Sequence, residues 1–283
     1  MATETAARAN SRAKRSDEDE LVVAFDHVSL AFDEKVILKD VSFQLRRGHT
    51  KIILGASGAG KSLSLKILLG LLKADGGEVR VLGERVDQLS ELEMMKVRTN
   101  IGMVFQEGAL FDSLTVRENV GYRLYEESDT PLDEVDRRVE EVLGFVSLGE
   151  HIDKMPSALS GGQRRRVAIA RAMCSKPEIL LYDEATTGLD PITATTVDDE
   201  IIKLRDLENV SSIVVTHQLR DAFYVATREA VRDEHGKIQI VAADPEKERE
   251  TEFMMLRDGL IVFEGDAKAL RESNDEYIRT FLS

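Results

Sequence analysis

The chain has a single cysteine among its 283 residues and no long apolar run. One cysteine, Cys174, excludes an intramolecular disulfide and fits a reducing cytoplasm. Because it ends the largely apolar stretch Val167–Cys174, we expect it to be buried and unreactive. No uninterrupted apolar stretch approaches the roughly 20 residues of a membrane-spanning helix, and the first residues lack the apolar core of a signal peptide. We therefore expect a protein that is soluble in itself and works at a membrane only through partners.

Positive charge is also scarce. Lysine and arginine number 38 against 52 aspartates and glutamates, which gives a formal net charge of −14. Because nucleic-acid binding relies on cations that neutralise phosphates, we expect no nucleic-acid partner, although Arg164–Arg166 is a local basic run. A hydrophobic content of 42% is typical of a globular chain, with room for one large domain or two small ones.

A complete phosphate-loop motif occupies residues 55–62. The buried-strand pattern of Thr50–Leu54 precedes it, and Lys61–Leu72 has the apolar spacing of a helix packed on a sheet. In this context backbone N–H groups face the phosphates, Lys61 can reach the β- and γ-phosphates, and the Ser62 hydroxyl can ligate Mg²⁺. The predicted phosphate-binding residues are Gly55, Ala56, Ser57, Gly58, Ala59, Gly60, Lys61 and Ser62.

Two adjacent carboxylates follow another apolar stretch, Ile179–Tyr182. Ligands of open α/β sheets gather at the carboxyl ends of the strands, so Asp183 is suited to hold Mg²⁺. Glu184 is suited to orient or deprotonate an attacking water. Ser212–Val215 is a similar apolar run, as expected of parallel strands that are buried on both faces.

A second glycine segment, Leu159–Gln163, lies between these two motifs. Its serine and glycines, followed by helix-like sequence, offer another set of N–H groups to an anion. One triphosphate does not need two such sites. The simplest solution is that two copies of the protein meet with ATP between them. Each copy would then present its own second glycine segment to the nucleotide of the other, through Ser160, Gly161, Gly162 and Gln163.

This motif set resembles the ATP-binding cassette (ABC) ATPases, over roughly Leu21 to Gly265. The resemblance implies a homodimer that closes around two ATP molecules and opens after hydrolysis. It also implies roles for Gln106 as a sensor of Mg²⁺ and water, His217 as a γ-phosphate contact, Asp190 at the dimer seam and Phe32 as the ring that stacks on adenine. Phe32 stands where the family more often has tyrosine, and a core position is the alternative for it.

The implied catalytic residues are Glu184, His217, Gln106 and Lys61, and the implied Mg²⁺ ligands are Ser62, Gln106 and Asp183. The implied fold is an α/β P-loop NTPase cassette with a mixed sheet core, an antiparallel β subdomain and a helical insert. We expect a disordered tail at 1–20, an ATPase domain at 21–265 and a helical extension at 266–283, packed on its own domain or on the second copy. Within the ATPase domain, the expected parts are a helical subdomain at about 107–174 and a charged surface insertion at about 228–251.

The local pattern agrees with that fold. Leu21–Phe25, Val28–Phe32 and Val41–Leu45 have the composition of strands, and the sequence from about Ser90 to Met173 is mostly helical in pattern. A closing hairpin is predicted for Phe253–Phe263, where an Asp-Gly pair marks the turn.

Among ABC ATPases, a transport motor fits best. A single phosphate loop argues against tandem translation ATPases, and the lack of long heptad runs argues against coiled-coil repair ATPases. Gly108–Phe111 is similar to the ATPase subunits of Mla/Mce-type systems, which move phospholipids between the membranes of bacterial envelopes.

That similarity implies permease subunits docked near Gln106–Leu114, an Mce-domain lipid-binding partner and a place on the cytoplasmic face of the inner membrane. A groove for a short permease helix would be lined by Ala109, Leu110, Phe111 and Leu114. Packing of the helical insert is the alternative for these four side chains. The alternative functions are an amino-acid or other polar-solute importer, and a soluble regulatory or repair ATPase.

Overall fold

The computed structural model describes residues 20–283, so the expected tail lies outside the described residues except for Glu20. The strands are β1 (Leu21–Phe32), β2 (Lys35–Arg46), β3 (Thr50–Leu54), β4 (Gly76–Val81), β5 (Glu84–Arg85), β6 (Ile101–Val104), β7 (Ile179–Asp183), β8 (Ser211–Val215), β9 (Arg228–Arg232), β10 (Ile238–Ala242), β11 (Thr251–Arg257) and β12 (Leu260–Gly265). The helices are α1 (Lys61–Leu68), α2 (Glu91–Arg98), α3 (Val116–Glu127), α4 (Leu132–Phe145), α5 (Gly161–Cys174), α6 (Pro191–Glu208), α7 (Leu219–Ala226), α8 (Pro245–Glu248), α9 (Ala267–Glu272) and α10 (Glu276–Leu282).

A mixed sheet with the strand order β12-β11-β3-β8-β7-β6 forms the centre of the described part of the chain. All its neighbouring strands pair in parallel except β12, which is antiparallel to β11. Every residue of β3 and β8 is buried, because both faces of this sheet are covered. Parallel strands end at the same edge, so the segments that follow β3, β6, β7 and β8 lie side by side there.

The antiparallel subdomain has the strand order β2-β1-β4-β5. The two predicted strands Leu21–Phe25 and Val28–Phe32 are one strand, β1, whose pairing with β2 shifts register between Phe25 and Val28. His27 has a φ of +52° there, so the irregularity is absorbed locally without breaking the strand. β2 likewise begins at Lys35, immediately after the turn at Asp33 and Glu34, well before the expected start at Val41.

The helical insert contains α3, α4 and α5, which pack on one another. Capping boxes begin two of these helices, with Thr115 and Glu118 at α3 and Ser160 and Gln163 at α5. The mostly helical pattern from Ser90 to Met173 misses β6, a strand of only four residues that pairs with β7. So short an apolar run has no periodicity that separates strand from helix, and its partner strand decides its structure. Helix α1 ends at Leu68, before the predicted Leu72, because Gly70 turns the chain with a φ of +64°.

The chain from Arg228 onwards adds strands and helices to the core. The charged stretch at 228–251 forms the β9–β10 hairpin and the short helix α8. The closing hairpin turns at Asp258 and Gly259, both with positive φ, as the Asp-Gly pair predicts. Leu270 and Ile278 from the last two helices are buried in the main core, which agrees with packing of the extension on its own domain.

Cys174 is buried as expected, and burial raises the pKa of its thiol to about 11.

Candidate active site

The phosphate loop, residues 55–62, connects β3 to α1 at the carboxyl edge of the central sheet. Gly55, Gly58 and Gly60 all have positive φ, and a Cβ on Gly55 would lie 2.4 Å from the Leu256 carbonyl oxygen. Glycine is therefore required for this path of the backbone. No side chain caps the start of α1 at Gly60, whereas Ser90, Thr115 and Ser160 cap α2, α3 and α5. The first N–H groups of α1 are thus left for an anion.

Lys61 lies within this loop and connects it to the predicted base. Its Nζ donates to the carbonyl oxygens of Gly55 at 2.7 Å and Ala56 at 3.2 Å, and it lies 3.7 Å from Glu184 Oε1. The side chain is only 6% exposed, and this burial lowers the pKa of Lys61, while Glu184 and Asp183 act in the opposite direction. A terminal phosphate at the start of α1 would therefore meet a buried ammonium group.

Ser62 and Asp183 form a hydroxyl–carboxylate pair across the sheet edge. Ser62 Oγ donates to Asp183 Oδ1 at 2.7 Å. Burial raises the pKa of Asp183, and the hydrogen bond from Ser62 lowers it in part. Two protein oxygens beside a phosphate site suit Mg²⁺, which is commonly held by one or two protein ligands together with substrate phosphates and waters.

Glu184 is fixed by contacts with three residues. Its backbone N–H donates to the Val215 carbonyl at 2.9 Å, and its Oε2 accepts from Thr187 Oγ1 at 2.8 Å and lies 2.8 Å from His217 Nδ1. Glu184 has a φ of +54°, an uncommon backbone conformation for a non-glycine residue. The carboxylate is 14% exposed, so it faces the site from a mostly enclosed position. Thr187 is a contact that the motif analysis missed.

The predicted residues of the phosphate loop, the paired carboxylates and His217 thus lie close together. An ion pair links Lys61 to Glu184, a hydrogen bond links Glu184 to His217, and another hydrogen bond links Ser62 to Asp183. These side chains come from three places in the sequence and meet because β3, β7 and β8 are neighbours in the sheet.

The second glycine segment is organised differently. Ser160 Oγ accepts from the Gln163 N–H, and Gln163 Oε1 accepts from the Ser160 N–H. Gln163 Nε2 also lies 3.0 Å from His151 Nε2, a contact that sequence reasoning did not find. Within residues 20–283, no hydrogen bond or ion pair joins this segment to the phosphate loop.

Asp190 lies beside this segment, because α5 and α6 begin next to each other. It caps α6 by accepting from the N–H groups of Ile192 and Thr193. A Cβ on Gly162 would lie 2.1 Å from Thr193 Cγ2, so the second glycine is needed for the contact between the two helices. A Cβ on Gly161 would meet only Leu189, at an ordinary contact distance of 3.4 Å. Sterics inside the chain therefore account for Gly162 and not for Gly161.

Phe32 and Gln106 are exposed. Phe32 ends β1 and the residue is 46% exposed, so the alternative of a core phenylalanine is wrong. Gln106 follows β6 two residues after Val104, which pairs with Tyr182 of β7, so it lies near the Asp183 end of that strand. The roles predicted for Phe32 and Gln106 stay predictions.

The predicted permease groove contains an exposed aromatic pair. Phe111 is 44% exposed, and its ring centroid lies 4.7 Å from that of Tyr122 on α3. Leu110 is different, because it packs partly against the main core. Ala109 has a φ of +46°, and Arg171 of α5 holds this turn by donating to the carbonyl oxygens of Gly108 and Ala109. Within residues 20–283, no helix has the length and apolar character that a membrane span requires.

Comparison with known proteins shows which family the chain resembles. A sequence profile described as ABC transporter matches residues 38–187. Protein TRIGALACTOSYLDIACYLGLYCEROL 3, chloroplastic, from Arabidopsis thaliana is 44% identical over 224 residues, which are 73% of this chain and 64% of that protein. The methionine import ATP-binding protein MetN of Bifidobacterium longum is 39% identical over 238 residues, 80% of this chain and 59% of that protein. The chain therefore spans less than two thirds of the length of these two relatives.

A solved structure has the same fold. The ATP-binding cassette MJ0796, in a dimeric post-hydrolysis state bound to ADP and Pi, is 30% identical with a TM-score of 0.70. The match covers 86% of this chain and 98% of that one.

Proposed function

The chain belongs to the ABC transporter family, a family of ATPases, and we propose that it is the ATP-hydrolysing subunit of a phospholipid transporter. The observation that supports hydrolysis is the contact of one carboxylate, Glu184, with both Lys61 and His217. In the proposed reaction Glu184 is the base, Lys61 binds the terminal phosphate and His217 is a second polar contact for it.

Each predicted nucleotide-site residue outside the second glycine segment has a separate task in this proposal. The N–H groups of the phosphate loop and Lys61 bind the phosphates of ATP, and Phe32 stacks on the base. Ser62, Asp183 and Gln106 would hold Mg²⁺, which when bound neutralises phosphate charge. Glu184 accepts a proton from the attacking water. The water oxygen bonds to the γ-phosphorus while the bond between the γ-phosphorus and the β–γ bridging oxygen breaks. ADP leaves with that oxygen, and His217 stabilises the charge on the γ-phosphoryl oxygens.

The second glycine segment serves the nucleotide of another copy. Ser160 is exposed and is not linked to the phosphate loop of its own chain within residues 20–283. The similar cassette MJ0796 was solved as a dimer, which supports a homodimer around two ATP molecules. ATP then favours the closed dimer because its γ-phosphate contacts Lys61 of one copy and the Ser160–Gly161 backbone of the other. ADP lacks this phosphate and does not favour closure.

A membrane permease is the second proposed partner. The exposed rings of Phe111 and Tyr122 form an aromatic surface beside Gln106–Leu114, and such a surface suits the apolar face of a short helix. Docking there would hold the chain on the cytoplasmic face of the inner membrane, with an Mce-domain protein as a further subunit.

Two kinds of cargo compete. The 44% identical Arabidopsis relative is named after a glycolipid with a diacylglycerol anchor, and this supports a lipid. Relatives named for methionine import match as much or more of the chain at lower identity, and they support the polar-solute alternative.

The cargo can be tested with the complex purified from its own membranes. The affinity-tagged chain is extracted in mild detergent with its associated membrane proteins and reconstituted into vesicles that contain a fluorescent phospholipid. ATP-dependent movement of the phospholipid, absent with Glu184→Gln, is the expected result. ATP-dependent uptake of radiolabelled methionine without lipid movement would replace the lipid proposal with an importer. Repeated isolation of an active ATPase with no polytopic membrane protein would reject the transport role itself.

A further inference from the structure

The basic run Arg164–Arg166 is not an exposed patch. Each of the three guanidinium groups donates to a backbone carbonyl elsewhere in the fold. Arg164 reaches Leu159 at 2.7 Å, Arg165 reaches Ala185 at 3.0 Å and Thr187 at 3.4 Å, and Arg166 reaches Val146 at 3.0 Å. The run therefore joins helix α5 to its surroundings, and the three arginines join it to three different segments.

Arg165 is the arginine that reaches the segment after Glu184. It is 8% exposed, and burial lowers the pKa of its guanidinium while the charge of Glu107 raises it. A buried cation needs fixed partners, and Arg165 finds them in the carbonyls of residues 185 and 187. Removing it would leave these two carbonyls without that donor.

The contacts continue from that segment to the reacting carboxylate. Thr187, whose carbonyl accepts from Arg165, donates through its own hydroxyl to Glu184 Oε2. Glu184 itself has the uncommon φ of +54°, a conformation that persists only where the surrounding contacts enforce it. The Val215 carbonyl holds the Glu184 N–H on one side. Arg165 holds the following residues on the other.

We propose that Arg165 is a positioning residue for ATP hydrolysis, which acts by fixing the backbone of residues 185–187 and so the carboxylate of Glu184. This inference rests on the proposed function of Glu184 as the base. Because Arg165 stands on α5, two residues after Gln163, it also ties the orientation of Glu184 to the helix that begins with the second glycine segment. Arg171 of the same helix holds Gly108 and Ala109, so the segment beside the proposed permease surface is attached to the same rigid element.

The test compares Arg165→Gln with Arg166→Gln. Both changes remove one positive charge from adjacent positions of α5, but Arg166 donates to Val146 at the end of α4, away from Glu184. We expect Arg165→Gln to lower kcat about tenfold with KM for ATP unchanged within about twofold, because the loss of a positioning contact affects the reacting geometry more than binding. Arg166→Gln should keep kcat. Thermal unfolding of both variants shows whether they fold, and Arg165→Lys, which keeps the charge and a single donor group, should recover part of kcat.

A double variant separates positioning from general loss of structure. If Arg165 acts through Glu184, Arg165→Gln should lower the residual activity of Glu184→Gln by much less than tenfold, because coupled residues are not additive. Equal effects in both backgrounds, or a raised KM with an unchanged kcat, would overturn the inference. If Glu184→Gln hydrolyses ATP normally, the proposed function fails first. If Glu184→Gln is inactive and Arg165→Gln is fully active, only the inference fails.

Discussion

The phosphate-loop region and the second glycine segment both offer N–H groups at the start of a helix. They differ in whether polar side chains from other segments surround those groups. Around the phosphate loop, Lys61 and Ser62 already contact Glu184 and Asp183, and the first turn of α1 has no side-chain cap. At the second glycine segment, Ser160 and Gln163 satisfy one another in a capping box, and Ser160 is exposed.

This difference bears on the proposal that two copies share the nucleotide site. The phosphate-loop region has a lysine, two carboxylates and a histidine within contact distance, and in the proposed function it binds and aligns the nucleotide. The second glycine segment has a fixed, capped backbone without a catalytic group of its own. In the proposed function, this segment meets the nucleotide of another copy. Four changes test this contrast.

The largest effect is expected for the base. Glu184→Gln keeps the size of the side chain but cannot accept a proton, so kcat should fall by about 10²–10³-fold while ATP binding stays intact. Steady-state phosphate release and binding of a fluorescent ATP analogue measure the two effects. Glu178→Gln, at the other end of β7, is the control. Hydrolysis near the wild-type rate in Glu184→Gln would remove Glu184 from the base role.

The second change is made in the second glycine segment, at the start of α5. Ser160→Arg puts a bulky cation where the nucleotide of another copy would approach, so hydrolysis should fall by about 10–100-fold while each monomer still binds ATP. Sedimentation with ATP should show the monomer alone. Ser90→Arg is a close control, because Ser90 forms the same capping box with Glu93 at the start of α2. Wild-type hydrolysis by Ser160→Arg would show that one chain holds the whole site.

A smaller effect is expected for Phe32, which is proposed to stack on the base of the nucleotide that the phosphate-loop region binds. Loss of base stacking in Phe32→Ala should weaken ATP binding about tenfold, and Phe32→Tyr should bind normally because stacking uses the ring face. Tripolyphosphate has no base, so its binding should be the same in all three proteins. Equal weakening for tripolyphosphate and ATP would mean that the change disturbs the phosphate loop instead.

The last change affects stability instead of hydrolysis, in the helix α6 that begins beside the second glycine segment. Asp198 lies in α6, whose first turn is capped by Asp190, and burial followed by the charge of Asp221 raises the pKa of Asp198 to about 8. Because this folded-state pKa exceeds the unfolded value, the folded chain binds the proton more tightly. Its contribution to stability is complete below about pH 4 and is lost as the pH rises to about 8, by about 1 kcal/mol per pH unit.

Asn cannot ionise, so Asp198→Asn should remove this loss and raise the melting temperature at pH 8 by ~10 °C, with a smaller gain at pH 5. Melting curves across this pH range measure the difference from wild type. Glu208→Gln, at the exposed end of the same helix, should leave the profile unchanged. A gain of equal size at both pH values would speak against the titration of Asp198.

Much of the phosphate-loop region could be predicted from the sequence, because its chemistry depends on local patterns. A phosphate loop needs glycines at fixed spacing between a strand and a helix, and Gly55–Ser62 has this arrangement. Asp183 and Glu184 follow a continuous apolar run, which predicts the end of a buried strand. By contrast, β6 is too short for periodicity to identify, and the sequence predicts two strands in place of β1 because Asp26 and His27 interrupt its apolar pattern.

The sequence by itself determined the phosphate loop, the paired carboxylates and the second glycine segment, because each depends on residues that are neighbours in the chain. Only the tertiary structure decided that His217 and Thr187 share one oxygen of Glu184, that Gly162 is required by Thr193, and that Arg165 is a buried donor instead of a surface charge. The reason is physical. These contacts join separate segments, and their distances follow from the order of strands in the sheet and from the packing of α5 against α6.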